Sequence, residues 1–208
     1  MKKLLCALMA LMLLVSGFAM AETLAPQFTE LNTTEATYPA SFNRDDLKDG
    51  TLASVHLFTE DVYDIADVSR LAVGDTFEAE GKTITVETIE NDEFGHINLN
   101  GGFEAENGYT LTTEEDTNGW TTLLWDDFCT FTERGILSLE LADDVTFNDT
   151  WFLDASAIEA GREAITATGI EAVSKAIMES ENDSFDEFNT RIVLKDGKVI
   201  EIARHYVP

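Results

Sequence analysis

The side chains in this sequence best suited to covalent chemistry are one thiol and three imidazoles. Cys129 is the only cysteine beyond Cys6, and His56, His96 and His205 are the only histidines. A thiolate nucleophile needs a base within hydrogen-bond reach, so Cys129 with His56 forms the candidate pair of a cysteine enzyme. The local sequence DDFCTF also sets Cys129 between Phe128 and Phe131, the surroundings of a small core hydrophobe.

Carboxylates offer other chemistry. The chain holds 40 acidic against 13 basic side chains, a formal net charge of −27. Adjacent pairs such as Asp45-Asp46, Asp126-Asp127 and Asp143-Asp144 have the residue types for glycoside hydrolysis, yet at this density such pairs arise by chance. Calcium suits extracellular carboxylates better, since it takes six to eight oxygen ligands. DDVTFNDTWFLD offers Asp143, Asp144, Asn148, Asp149 and Asp154. NRDDLKDG falls short of a calcium loop because Leu47 stands at the third ligand position. These acids serve either as weak calcium ligands or as solvated loop ends, and no built-in cofactor is expected. The histidines and the cysteine lack transition-metal spacing, and Asn100-Gly101-Gly102 reads as a turn rather than a phosphate cradle.

Two features suggest binding. Trp120 and Trp125 are five residues apart, so a strand would send them to opposite faces; one exposed beside Tyr109 would stack on a sugar ring or a peptide. Residues 191–208 carry Arg191, Lys195, Lys198 and Arg204 against Asp196 and Glu201, a cationic strip on an acidic body. These cations either pair with neighbouring acids or leave an anion site beside Arg204 and His205. Overall charge argues against nucleic acid and anionic lipid as partners.

The elements that must position these residues follow from periodicity. Lys2 and Lys3, an apolar run from Leu4 to Val15 and Ala19-Met20-Ala21 have the form of a secretory signal peptide over residues 1–21. Its removal would take Cys6 and two lysines, leaving one cysteine, no intramolecular disulfide and no membrane insertion. Residues 22–40 show no sustained period and read as a flexible N-terminal arm. Residues 41–208 read as one globular domain, long enough to rest on its own core.

Within it, Ala53, Val55 and Leu57 alternate with polar residues, as do Phe77 and Ala79 before Gly81 and Ile84 and Val86 after it. Ile97 with Leu99, Tyr109 with Leu111, the stretch from Trp120 to Trp125, Leu137 to Leu141, and Val145 with Phe147 continue the pattern. Many short strands predict a small β-barrel or sandwich. Ser156 and Glu159 predict a capping box opening a helix through Ala164 and Ile165 with a stop at Gly169. Ile170, Val173 and Ile177 predict a helical stripe. Asp196-Gly197 predicts a terminal hairpin. The class is mainly β (α+β), with one or two C-terminal helices packed on the sheet.

The stretch from His56 through DVSRLAVGDTFEAEGKTITVETIE resembles the part of a sortase that follows its histidine. TTLLWDDFCTFTERG is similar to that family's cysteine strand, with Arg134 following. The resemblance implies a β-barrel and cysteine transpeptidation. Aligned on Thr122-Leu123, Trp125 occupies the cysteine position and Cys129 lies four residues later. The leading functional expectation is an exported, non-catalytic module binding an extracellular ligand or protein. The alternative is a cell-envelope cysteine enzyme using Cys129 and His56.

Overall fold

A computed structural model describes residues 35–114, 119–124 and 128–207. The expected signal peptide and residues 22–34 of the arm lie outside them, as do Trp125 and the Asp126-Asp127 pair. The chain is mainly β. Among the described residues, no helix is long and apolar enough to cross a membrane.

The larger sheet is a barrel. Its members in chain order are β1 (Ala36–Phe42), β2 (Leu47–Lys48), β3 (Thr51–Glu60), β11 (Phe131–Asp149), β12 (Ile165–Thr168), β13 (Thr190–Lys195) and β14 (Lys198–Arg204). The spatial order β11-β14-β13-β1-β3 closes because β3 also pairs with β11, while β12 and β2 flank the ring. The β11–β14 pair is parallel. Taking the five ring strands in chain order, they lie 1-2-3-5-4 around the barrel. The helix α3 (Ile170–Met178) falls between the third and fourth. This connectivity is that of the five-stranded Greek-key barrel of the OB class. Each of the five thus has a neighbour on either side, β1 meeting its two over different halves of the strand.

The barrel core takes the inward residues of each strand, including Val55, Leu57, Leu139, Phe147, Ile192 and Ile202. Val173 and Ile177 of α3 reach the same core and are fully buried, so the predicted helical stripe is the face packed on the barrel. Two expectations for this region change. First, the strands expected from Leu137 to Phe147 are one nineteen-residue strand, in which Leu139, Leu141, Val145, Phe147 and Asp149 all face inward. Second, Ala53 is exposed while Leu52 is buried. A bulge opposite Leu137–Leu139 adds one residue to β3 and reverses its alternation there.

The arm ends earlier than expected. Residues 36–40 belong to β1, which pairs with β13 through Ala36–Pro39 and with β3 through Ala40–Phe42. Proline supplies no ladder donor. Pro39 sits where β1 passes from one neighbour to the other, and a missing N–H is tolerated there.

The C-terminal helices also differ from expectation. Asp154, not Ser156, caps α2 (Ala155–Glu159) by accepting from Ala157 N, and Ser156 donates to the same carboxylate. Ile165 lies on a strand. Gly169 begins α3 rather than stopping a helix, at φ 86°, a conformation that favours glycine. The Asp196-Gly197 hairpin forms as predicted, with φ 51° and 75°.

A second lobe is inserted between β3 and β11. It contains β4 (Val62–Tyr63), α1 (Ile65–Val68), the hairpin β5 (Thr76–Ala79) and β6 (Lys82–Thr85), then β7 (Ile89–Asn91), β8 (Ile97–Leu99), β9 (Tyr109–Glu114) and β10 (Gly119–Leu123). Strands β4-β10-β9-β8-β7 make a separate sheet. Its core joins Val68, Phe77, Ile84, Val86, Leu99 and Leu111, and the hairpin turns at Glu80-Gly81 as expected.

Candidate functional site

The β3–β11 register separates the residues of the cysteine-enzyme reading. His56 lies opposite Ile136, and its Nδ1 is 3.1 Å from Glu133. Cys129 lies beyond Phe131, which pairs with Glu60. Glu60 is four residues along β3 from His56, roughly 13 Å for an extended strand. His96 is locked at 2.9 Å to Asp92 in the β7–β8 turn. His205 belongs to the C-terminal segment, where burial first, and then Arg191, holds its imidazole below its usual pKa; the Phe188 backbone and Asp186 push the other way. Cys129 is half-buried.

The cationic strip pairs with acids. Arg191 meets Glu60 at 3.1 Å, Lys195 meets Glu35 at 3.2 Å and Lys198 meets Glu140 at 3.4 Å. Arg204, 1% exposed, is bound through Nε and Nη2 to Asp149. Its Nη1 donates to the carbonyls of Asn182 and Ser184. With its donors engaged and its side chain buried, Arg204 offers no open anion site.

Several residues considered for calcium have other structural tasks. Asp149 faces Arg204, Asp154 caps α2 and Asn43 caps a single 3₁₀ turn at Arg44–Asp46. Among the described residues, no group of three or more His, Cys, Asp or Glu side chains is placed to hold a metal ion. Trp120 packs against the core of the second lobe, and Tyr109 is buried there with its hydroxyl donating to Glu80 at 2.8 Å. Burial first, and then that contact, raises the Tyr109 pKa far above its usual value.

A recess lies where the β3–β11 ribbon meets the second lobe, and it is organised by a residue that sequence reasoning passed over. Asp61, which joins β3 to β4, is 7% exposed. Its Oδ2 accepts from Thr130 Oγ1 at 2.5 Å and from Glu80 N at 2.8 Å, and its Oδ1 accepts from Thr132 Oγ1 at 2.5 Å. Thr122 Oγ1 in turn accepts from Thr130 N at 2.7 Å. One carboxylate thus ties the end of β3, the β5–β6 turn and the start of β11, with Thr122 linking in β10. Charge-assisted bonds of this kind are the strong ones. The only sequence cue was the threonines at Thr121, Thr122, Thr130 and Thr132, far along the chain from Asp61.

Beside the knot lies a groove of about 590 Å³. Its apolar lining comes from Tyr63, Val68, Leu71 and Phe77, with the Tyr63 and Phe77 rings 4.6 Å apart. Tyr63 donates its hydroxyl to Glu78 O at 3.0 Å. Burial first, and then the Asp61 charge, raises its pKa far above the usual value, so it stays a neutral donor. Glu60, Asp67, Glu78 and Arg134 supply charge. A recess of this size, with apolar lining and a few polar groups, suits a small ligand.

No protein-family model, curated protein or solved structure matches the chain.

Proposed function

We propose that this chain is an exported, non-catalytic binding module whose ligand occupies the groove between the β3–β11 ribbon and the second lobe. The groove itself carries the reading: an apolar lining bordered by charged side chains, braced by a fully bonded carboxylate. Barrels of this connectivity bind ligands on the face of their second and third strands, here β3 and β11, although connectivity alone does not assign function. A formal charge of −27 opposes nucleic acid as that ligand. Export rests on the form of residues 1–21.

Indole, a neutral aromatic probe, tests the groove by protein-observed NMR. Saturable shifts at the amides of Asp67, Gly81 and Thr132, lost in Thr76→Trp and kept in Cys129→Ala, are expected. Scattered shifts, or shifts indifferent to Thr76→Trp, would overturn the site. Secreted protein whose mass begins at Glu22 is the expected outcome for export; retention of residues 1–21 in a cell-associated chain would count against it.

A further inference from the structure

The two walls of the groove differ in charge. On the barrel wall, Glu60 is paired with Arg191 at 3.1 Å. Arg134 on β11 uses Nε to donate to Thr59 Oγ1 at 2.8 Å and makes no ion pair among the described residues. That wall therefore presents an uncompensated guanidinium. On the other wall, Asp67 of α1 and Glu78 of β5 are exposed, and neither makes an ion pair among the described residues. Glu78 has only a 3.4 Å contact from the Thr83 hydroxyl. Asp61, with three donors already on it, is not available to a ligand.

A ligand of one charge sign would meet repulsion from one of these walls. A zwitterion meets attraction from both. Between them the half-buried Tyr63 ring, backed by the buried Phe77 ring 4.6 Å away, offers an apolar surface for a side chain. We propose that the groove binds a short zwitterionic peptide. Its terminal carboxylate lies on Arg134, its amino group or a basic side chain lies between Asp67 and Glu78, and an apolar side chain packs on the Tyr63 ring. Arg134 suits the carboxylate end because a guanidinium presents paired donors that match both oxygens. This inference rests on the groove being a ligand site and assigns its ligand class.

The probe is the free tripeptide lysyl-leucyl-leucine, titrated into the full-length protein beside its C-terminal amide, its N-acetyl form and indole. The free tripeptide should shift the amides of Asp67, Gly81 and Thr132 saturably. Amidation of the peptide, or Arg134→Glu in the protein, should each weaken binding about tenfold or more. The amide should respond far less than the free acid to the neutral Arg134→Gln, because its partner for Arg134 is already gone. Asp67→Asn with Glu78→Gln should weaken the free tripeptide and leave indole unchanged. Equal affinity for free acid and amide would overturn the zwitterion assignment while leaving the groove as a site. Indole binding without tripeptide binding would do the same. Failure of both probes to bind would overturn the groove reading together with this one.

Discussion

Asp149 and Arg204 stand directly opposite one another across the parallel β11–β14 pair and bind through two contacts, 3.1 and 2.5 Å, each residue 1% exposed. The inward alternation of β11 carries a carboxylate into the core at its last residue, and the strand beside it supplies the cation. Arg204 also lies 4.3 Å over the Phe185 ring, so its flat face is covered as well as its edges. Among the described residues, no buried side-chain nitrogen or oxygen lacks a hydrogen-bond partner. Burying two charges is expensive, and their attraction offsets that cost only while both are present.

Removing one partner should therefore be severe. Asp149→Ala leaves a buried guanidinium uncompensated and should destabilise the fold by about 3–5 kcal/mol. The apolar double variant Asp149→Leu with Arg204→Met should recover much of that loss, since the desolvation cost disappears with the charges. Urea denaturation of the two variants beside the parent provides the comparison. A double variant no more stable than Asp149→Ala would contradict coupling between these residues.

Much of this architecture was readable because the relevant signals are local. Gly81 and the Asp196-Gly197 pair marked their turns, and Ile170, Val173 and Ile177 marked the helix face, each within about ten residues of chain. The same logic could have found the β2–β3 turn, where Asp49-Gly50 adopts φ 50° and 75°. Pro39 hid β1, because a proline argues against a central strand unless the strand changes neighbours at that point. The groove was not readable. Asp61 reaches Thr130 and Thr132 across about seventy residues of chain, and only the closed ribbon brings them together. Forty acids gave no reason to single out one.

The Asp61 knot gives a second prediction. Asp61→Ala withdraws the acceptor from two threonine hydroxyls and the Glu80 amide, and should cost about 2–4 kcal/mol. The damage should be local before it is global. Hydrogen exchange at Glu80 N should accelerate far more than at Ile192 N, deep in the barrel. Uniform acceleration at both positions would mean that Asp61 supports the whole fold equally and does not specifically brace the groove.

Ile177 tests whether α3 belongs to the barrel core. It is fully buried with Val173 on the inner face of the helix. Ile177→Ala should cost about 2–4 kcal/mol through lost burial and the cavity left behind. The neighbouring Met178, 46% exposed, should tolerate alanine with a change of a few tenths of a kcal/mol. Comparable losses at both positions would place the helix differently.

His205 gives the pH dependence. Burial first, and then the neighbouring Arg191, lowers its folded pKa, while the Phe188 backbone and Asp186 only partly oppose the shift. Between that lowered midpoint and the unfolded value near 6.5, the unfolded chain binds more protons than the folded one. Stability therefore rises with pH across this window and is lost as pH falls through it, the direction expected of a histidine buried neutral. An NMR titration should place the His205 midpoint below the usual imidazole value. In His205→Gln, the part of the stability slope lying in this window should flatten, while the steeper loss at lower pH from carboxylate protonation remains. A His205 midpoint above the usual value, or an unchanged slope in the variant, would show that the imidazole is not held neutral by its surroundings.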